Sequence, residues 1–319
     1  ESSLVMINAF EGGATAEDIL ASVQYSAEQD VDVATMSLGF ESTTGNSVLM
    51  TAMEETIQDA NAAGTLVVGS AGNAGAGDDG GPATSPGAEF SSFSVGASNA
   101  QGSIAPFSSG SVISPFAAEY VSANGSYPAN YPREYVKPDV VAPGVDVLSA
   151  GPLGTVVADD AATYSESGGT SMAAPHVAGA AALVQSATEE ELAPKTIQAA
   201  LVETADKPDN EFAERHGRDV RYGTGIINVT AATAAVKSGT MGIEGTVTDT
   251  DGDPIPGAAV TSEGDALTSA NVSGDYTLRT TDQSTEVTAD AFGYEASSQD
   301  VDDGSAQFTL DDADRKSVV

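Results

Sequence analysis

Short apolar runs alternate with amphipathic segments over the first 238 residues. The runs at residues 4–9, 31–37 and 65–70 predict buried strands. Apolar residues at helical spacing predict helices over residues 15–29, 46–62, 171–186, 194–204 and 229–237. Thr15, with Asp18 three positions later, is expected to cap the first helix. This alternation is typical of a doubly wound, mostly parallel α/β sheet covered on both faces. The Gly-, Ser- and Pro-rich stretches at residues 77–92 and 108–135 predict surface loops.

The pattern changes near Ser238-Gly239. From there on, short alternating stretches are separated by turn residues such as Asp251-Gly252 and Ser273-Gly274, and no helical period remains. We therefore predict an α/β domain over residues 1–238, a small all-β sandwich over residues 239–311, and a tail at residues 312–319.

Composition adds a strong acidic bias. The 319 residues include 47 Asp and Glu but only 11 Lys and Arg, a net charge of −36, and 40% of them are apolar. Such a charge argues against binding to nucleic acid or anionic membranes. Because the acidic residues are spread along the whole chain, we expect adaptation to high salt, which screens their mutual repulsion. The chain has no cysteine, and no apolar run is long enough for a transmembrane helix.

One segment suggests chemistry: Gly169-Thr170-Ser171-Met172-Ala173-Ala174-Pro175-His176-Val177-Ala178-Gly179. Two glycines precede Ser171, and an Ala-rich helical run follows it. This arrangement places a hydroxyl at a helix N-terminus, where unpaired N–H groups and the helix dipole favour developing negative charge. A serine that merely caps a buried helix is the structural alternative.

The segment resembles the nucleophile segment of subtilisin-like serine proteases (subtilases), and the acidic composition resembles that of haloarchaeal members. The resemblance implies that Ser171 is the nucleophile and that Asn73, in Gly69-Ser70-Ala71-Gly72-Asn73, forms the oxyanion hole with the Ser171 N–H. It also implies that Ser37, Leu38 and Gly39, with Ser70, Ala71 and Gly72, line the substrate cleft. The alternatives are a turn residue for Asn73 and an ordinary buried strand for residues 32–39.

Further segments resemble structural parts of the same family. They are Lys137-Pro138-Asp139-Val140-Val141-Ala142-Pro143-Gly144 and Tyr222-Gly223-Thr224-Gly225-Ile226-Ile227-Asn228. A subtilase triad runs in the order acid, His, Ser. Both histidines, His176 and His216, follow Ser171, and no acid motif precedes residue 30. We therefore expect a C-terminal part of the catalytic domain that lacks its Asp and His and is inactive alone.

The β-rich part resembles the carboxypeptidase regulatory-like domain, in Gly245-x-Val247-x-Asp249 and Gly274-x-Tyr276-x-Leu278. The resemblance implies a prealbumin-like fold without catalysis. Binding substrate, anchoring the enzyme to a cell surface and aiding folding all stay open as its role.

Metal binding has two candidate positions. Asp249-x-Asp251-Gly252-Asp253 looks like the start of a calcium loop, but Val260 stands where such a loop needs Glu, so an acidic hairpin turn is preferred. By family analogy, the loop at Ser85-Pro86-Gly87-Ala88-Glu89 is a second candidate for a weak, structural calcium site. The chemistry itself requires no cofactor.

The sequence thus favours a secreted, salt-adapted serine endopeptidase acting on protein or peptide substrates, its secretion inferred from the resemblance. The alternative is a non-catalytic binding or cell-surface module with the subtilase fold.

Overall fold

A computed structural model describes residues 2–9, 15–39, 47–75, 80–115, 131–150, 164–189, 191–209, 212, 214–215, 217–237, 241–262, 267–280, 285–302 and 304–313. Its helices are α1 Ala16–Glu28, α2 Ser47–Ala62, α3 Thr170–Gln185, α4 Pro194–Glu203 and α5 Val229–Lys237. The strands of the first part are β1 Val33–Met36, β2 Leu66–Ser70, β3 Phe93–Ser98, β4 Ser111–Ile113, β5 Tyr135–Lys137, β6 Val140–Pro143, β7 Val147–Ala150, β8 Tyr164–Ser167, β9 Glu214–Arg215 and β10 Arg218–Asp219.

A parallel sheet in the order β1-β2-β3-β6 forms the centre of this part. Alternate residues of β2 face opposite layers: Val67 packs with residues of α1 and α2, whereas Leu66 and Val68 pack with residues of α3, α4 and α5. Helices therefore cover both faces of the sheet, and the predicted doubly wound α/β fold is confirmed.

The structure contains the helices, and the helix cap, that the local sequence pattern predicts. Thr15 accepts a hydrogen bond from the backbone N–H of Asp18, and the Asp18 carboxylate accepts one from the backbone N–H of Thr15. This reciprocal pair is the predicted capping box. The other four helices begin and end within one residue of their predicted positions.

Three predictions about the chain differ from the structure. Residues 4–9 form no strand in the structure, and Leu4 and Met6 are exposed; no described strand forms a ladder with this segment. The loop at Ser85–Glu89 is buried instead of lying on the surface, since its small side chains fit against the end of β2. In the second stretch predicted as loop, β4 and β5 pair as short antiparallel strands, and residues 116–130 lie outside the described part.

The C-terminal part is all β, as predicted. Its strands are β11 Met241–Asp249, β12 Ala259–Ser262, β13 Leu267–Ser269, β14 Asp275–Thr280, β15 Thr285–Asp290, β16 Ser297–Val301 and β17 Phe308–Leu310. They form one sheet in the order β14-β11-β17 and another in the order β13-β12-β15-β16. The apolar side chains that both sheets contribute meet in one core, including Ile243, Val260 and Leu278. The domain limits at residues 238 and 311 stay predictions.

The buried loop contains an unusual carboxyl group. Glu89 is almost fully buried, and the Ser85 hydroxyl donates to its Oε1 at 2.6 Å, while its Oε2 lacks a partner. Burial, helped by the nearby Glu54 carboxylate, raises the pKa of Glu89 to about 8. The group is therefore protonated at neutral pH.

This pKa predicts a pH-dependent stability. The folded state keeps a proton that the unfolded state releases above pH 4.5, so the free energy of unfolding should fall as the pH rises towards about 8. The slope should be roughly 1.4 kcal/mol per pH unit. Glu89→Gln keeps an acceptor for Ser85 and cannot ionise, so it should lose this slope. Chemical denaturation at constant high salt, with the exposed Glu286→Gln as control, measures it; equal slopes in wild type and Glu89→Gln would contradict the prediction.

Candidate active site

Ser171 lies in the first turn of α3. The residue before the helix, Gly169, has φ 154° and ψ 159°, a backbone conformation that is essentially restricted to glycine. The chain can therefore turn sharply into the helix at this point. The first N–H groups of a helix have no partner within it, so the backbone at Ser171 offers donors to a ligand.

A proline inside α3 ties Ser171 to the end of β1. Pro175 has no N–H, so the Ser171 carbonyl cannot receive the usual hydrogen bond from the residue four positions later. The Ser37 hydroxyl donates to this carbonyl instead, at 2.7 Å. In return, the Ser171 hydroxyl points to the Ser37 carbonyl at 3.4 Å.

Thr170 ties the same helix start to the end of β2. Its buried hydroxyl accepts from the Gly72 N–H at 3.1 Å and contacts Asn73 Oδ1 at 3.1 Å. The backbone N–H of Thr170 donates to Asn73 Oδ1 at 2.9 Å. Because an N–H can only donate, the side-chain atom of Asn73 that faces Thr170 is its oxygen. The Nδ2 group of Asn73 therefore points away from Thr170 and can donate hydrogen bonds elsewhere.

The end of β6 supports the turn from a third side. Gly144 donates its N–H to Ser98 at 2.8 Å and accepts the N–H of Gly169 at 2.8 Å. The helix start thus rests against the carboxyl ends of three parallel strands, where α/β proteins place their ligand sites. Gly144, the last residue of the segment at residues 137–144, thus contacts the turn that precedes Ser171.

Comparison with known proteins identifies the family. The model of the subtilase family matches residues 1–225. The chain belongs to that family. The model of the carboxypeptidase regulatory-like domain matches residues 242–314.

Individual subtilases are moderately similar. Alkaline elastase YaB of a Bacillus strain is 32% identical over 222 residues, which are 70% of this chain and 45% of the elastase. Subtilisin DY of Bacillus licheniformis is 32% identical over 221 residues, or 69% of this chain and 64% of that protein. The chain thus spans about half to two thirds of these relatives. A solved lanthipeptide protease shares the fold, with TM-score 0.54 and 24% identity over 71% of this chain and 68% of its own.

The residues predicted for a substrate cleft lie together in this subtilase. β1 and β2 are neighbouring parallel strands with Met36 opposite Gly69, so Ser37-Leu38-Gly39 and Ser70-Ala71-Gly72 leave the sheet side by side. The Ser70 hydroxyl also donates to the Leu38 carbonyl at 3.3 Å.

Thr84, which the sequence pattern did not single out, lies between these two segments. A Cβ atom added at Gly39 or at Gly72 would lie 2.7 or 2.8 Å from Thr84 Oγ1. Its hydroxyl is buried and lacks a hydrogen-bond partner. Thr84 stands in a Gly-, Ser- and Pro-rich stretch, and no local sequence signal marks it. Gly39 and Gly72 are distant from it in sequence and come close to it only in the folded chain.

The other candidates are placed as follows. His176 is exposed on α3, and its Nδ1 lies 2.8 Å from the Met172 carbonyl, one turn earlier in the same helix. His216 lies outside the described residues. The carboxylate of Asp139 is bound by Lys137, Arg218 and the Ser94 N–H, as its structural assignment predicts.

The acidic turn at Asp249 is closed by its own side chain. Asp249 Oδ1 accepts the backbone N–H groups of Asp251 and Asp253, both at 2.9 Å. This geometry is that of the preferred hairpin turn. Among the described residues, no group of three or more His, Asp or Glu side chains could hold a metal ion. A structural calcium ion stays an untested prediction.

The bond between Ser37 and the Ser171 carbonyl can be tested by a double-mutant cycle. Ser37→Ala leaves that carbonyl without its donor and should lower the free energy of unfolding by about 1 kcal/mol. Pro175→Ala supplies the missing helical N–H, so Ser37→Ala should cost clearly less in that background. Chemical denaturation of the four proteins in high salt measures the coupling; a coupling of zero would contradict this account.

Proposed function

We propose that this chain carries the nucleophile and the oxyanion-binding donors of a subtilisin-like serine endopeptidase. Family membership gives the class of protein. The observation that carries the proposal is the orientation of Asn73. Its Oδ1 accepts from Thr170, so Nδ2 is left to donate next to Gly169, in the turn that leads into Ser171.

The mechanism follows from these positions. The Ser171 oxygen attacks the carbonyl carbon of the scissile peptide bond and gives up its proton to a general base. The oxygen of the tetrahedral intermediate accepts hydrogen bonds from the Ser171 N–H and from Asn73 Nδ2. The C–N bond then breaks, the amine leaves with a proton, and water hydrolyses the ester on Ser171.

We propose that the general base and its acid partner come from residues outside these 319. His176 is engaged with its own helix, and His216 follows Ser171 instead of preceding it. The chain on its own should therefore have very little activity, because removal of triad members costs several powers of ten in rate.

The substrate is proposed to be an extended peptide or protein segment that binds along the edge formed by Leu38-Gly39 and Ala71-Gly72, with Thr84 filling the space between the two glycines. We propose secretion and adaptation to high salt on the basis of the family and the net charge of −36. One relative is named an extracellular protease of Xanthomonas campestris, 33% identical over 65% of this chain. In the described part of the chain, no helix is long and apolar enough to cross a membrane.

Labelling by a fluorophosphonate tests the nucleophile. The experiment compares the 319-residue chain with the product of the longest open reading frame that contains it, both folded in high salt. The longer protein should label and cleave a casein substrate, and Ser171→Ala should abolish both. The 319-residue chain should label more slowly by about a thousandfold or more.

Two results would overturn the proposal. One is a folded longer protein that neither labels nor cleaves, which would favour the non-catalytic subtilase-fold module. The other is labelling that persists in Ser171→Ala, which would place the nucleophile elsewhere.

Asn73→Asp tests the oxyanion role. The aspartate keeps an oxygen for the Thr170 N–H but replaces the Nδ2 donor by a second acceptor. In the active longer protein, kcat should fall by about 10²–10³-fold with KM little changed. This magnitude was measured on a subtilisin and is carried over by family membership.

The matched control is Asn73→Ala, which removes both the donor and the acceptor for Thr170. It should lose a similar factor in kcat and, unlike Asn73→Asp, should also lower the free energy of unfolding. A kcat of Asn73→Asp within about threefold of wild type would contradict the assigned role.

A further inference from the structure

The loop that contains Thr84 is supported by an apolar cluster. We call residues 83–92 the pocket loop. Ala83, Ala88 and Phe90 of this loop pack with Ile113, Tyr131 and Tyr135. Phe90 meets the rings of Tyr131 and Tyr135 edge to face at 6.1 and 5.3 Å, and the Tyr135 hydroxyl donates to the Ala88 carbonyl at 3.1 Å.

One member of this cluster comes from the β-sandwich. Val272, in the turn between β13 and β14, is half-buried and packs against the cluster beneath the pocket loop. No residue of the sandwich needs to approach Ser171 for this contact. The sandwich therefore contacts the apolar cluster on which the pocket loop packs, and it does not need to enter the substrate cleft.

The two parts fit closely around this contact. A Cβ atom added at Gly257 of the sandwich would lie 2.7 Å from Cβ of Pro132, next to Tyr131. At Gly217, which has φ 72°, an added Cβ atom would lie 2.6 Å from the side chain of Leu267 of the sandwich. Such close approaches leave little room for the sandwich to move against the α/β part.

A partly buried hydrogen bond joins the two parts at the other side of the interface. β14 is an edge strand of its sheet, so alternate N–H groups along it have no strand to pair with. Glu203, at the end of α4, accepts the N–H of Arg279 at 2.8 Å. Glu203 is half-buried, and burial raises its pKa well above the ordinary value, an effect that the Arg279 N–H and the Arg279 charge oppose.

We propose that the β-sandwich is an internal brace, which docks on α4 and on residues 131–137 and holds the pocket loop in place. Its partner is the α/β part of the same chain, not substrate and not a cell surface. The inference depends on the proposed function only in treating Thr84 as part of a substrate cleft; the contacts stand without catalysis.

Amide hydrogen exchange in the full chain tests the brace. Val272→Asp places a charge in the cluster and should speed exchange in the pocket loop by about tenfold or more, including the amide of Ala88, which bonds to the Thr84 carbonyl. Amides in the middle of α3 should keep wild-type rates. Phe292→Ser, which changes an exposed aromatic residue of the sandwich, is the control and should leave the pocket loop unchanged.

Glu203 supplies a second, independent pair of variants. Glu203→Ala removes the acceptor for Arg279 and should also speed exchange in the pocket loop, whereas Glu203→Gln keeps an acceptor oxygen and should not. If Val272→Asp fails to fold, the comparison of Glu203→Ala with Glu203→Gln is sufficient to test the brace.

The brace is refuted if Glu203→Ala and the folded Val272→Asp accelerate exchange only within residues 241–313, or nowhere. Because exchange needs no activity, this outcome is distinct from failure of Ser171 to label.

Discussion

The hydroxyl group of Thr170 holds the candidate site together. It is buried where the start of α3 meets the end of β2, and it contacts both the Gly72 N–H and Asn73 Oδ1. A buried hydroxyl without partners would cost free energy, so these contacts fix the helix start relative to the sheet. They also set which way the Asn73 amide points, because its oxygen is occupied. The carbonyl left unpaired by Pro175 gives the second tie, through Ser37. A nucleophile in a first helical turn gains its electrostatic advantage only when the helix is held in this way.

A buried pair of charges supports the pocket loop. The ammonium group of Lys137 is buried and donates to the Phe90 carbonyl at 3.1 Å, the Ser92 carbonyl at 2.6 Å and Asp139 Oδ2 at 2.8 Å. Burial lowers its pKa, an effect that the neighbouring Asp139 carboxylate opposes. Such a pair adds little net stability, but it leaves few other arrangements of the chain. The pocket loop is thus held by Lys137 at Phe90 and Ser92 and by the Tyr135 hydroxyl at Ala88, close to where Val272 of the sandwich packs.

The sequence predicted what depends on neighbours along the chain. The capping box of Thr15 and Asp18, the limits of the helices and the glycines before Ser171 are local, and the structure contains them. The strand expected at residues 4–9 failed because apolar composition does not supply a pairing partner. Burial of Ser85–Glu89 could not be predicted, because small polar residues are common both in surface loops and in tight packing. The position of Thr84 could not be predicted for a related reason: it depends on Gly39 and Gly72, which are distant in sequence and come together only in the fold. The docking of Val272 likewise depends on how two independently patterned parts fit.

The central claim is that Asn73 and the Ser171 backbone are arranged in advance to hold a developing oxyanion. The most direct test is a crystal structure of the product of the longest open reading frame that contains this chain, with a peptide boronic acid, which forms a tetrahedral adduct with a serine oxygen. The account predicts a bond from boron to Ser171 Oγ, with one boronate oxygen about 2.7–3.1 Å from both Asn73 Nδ2 and the Ser171 nitrogen. It also predicts that Thr170 keeps its contact with Asn73 Oδ1. An adduct on Ser171 whose oxygens contact neither donor, or an Asn73 side chain turned with Nδ2 away from the adduct, would contradict it.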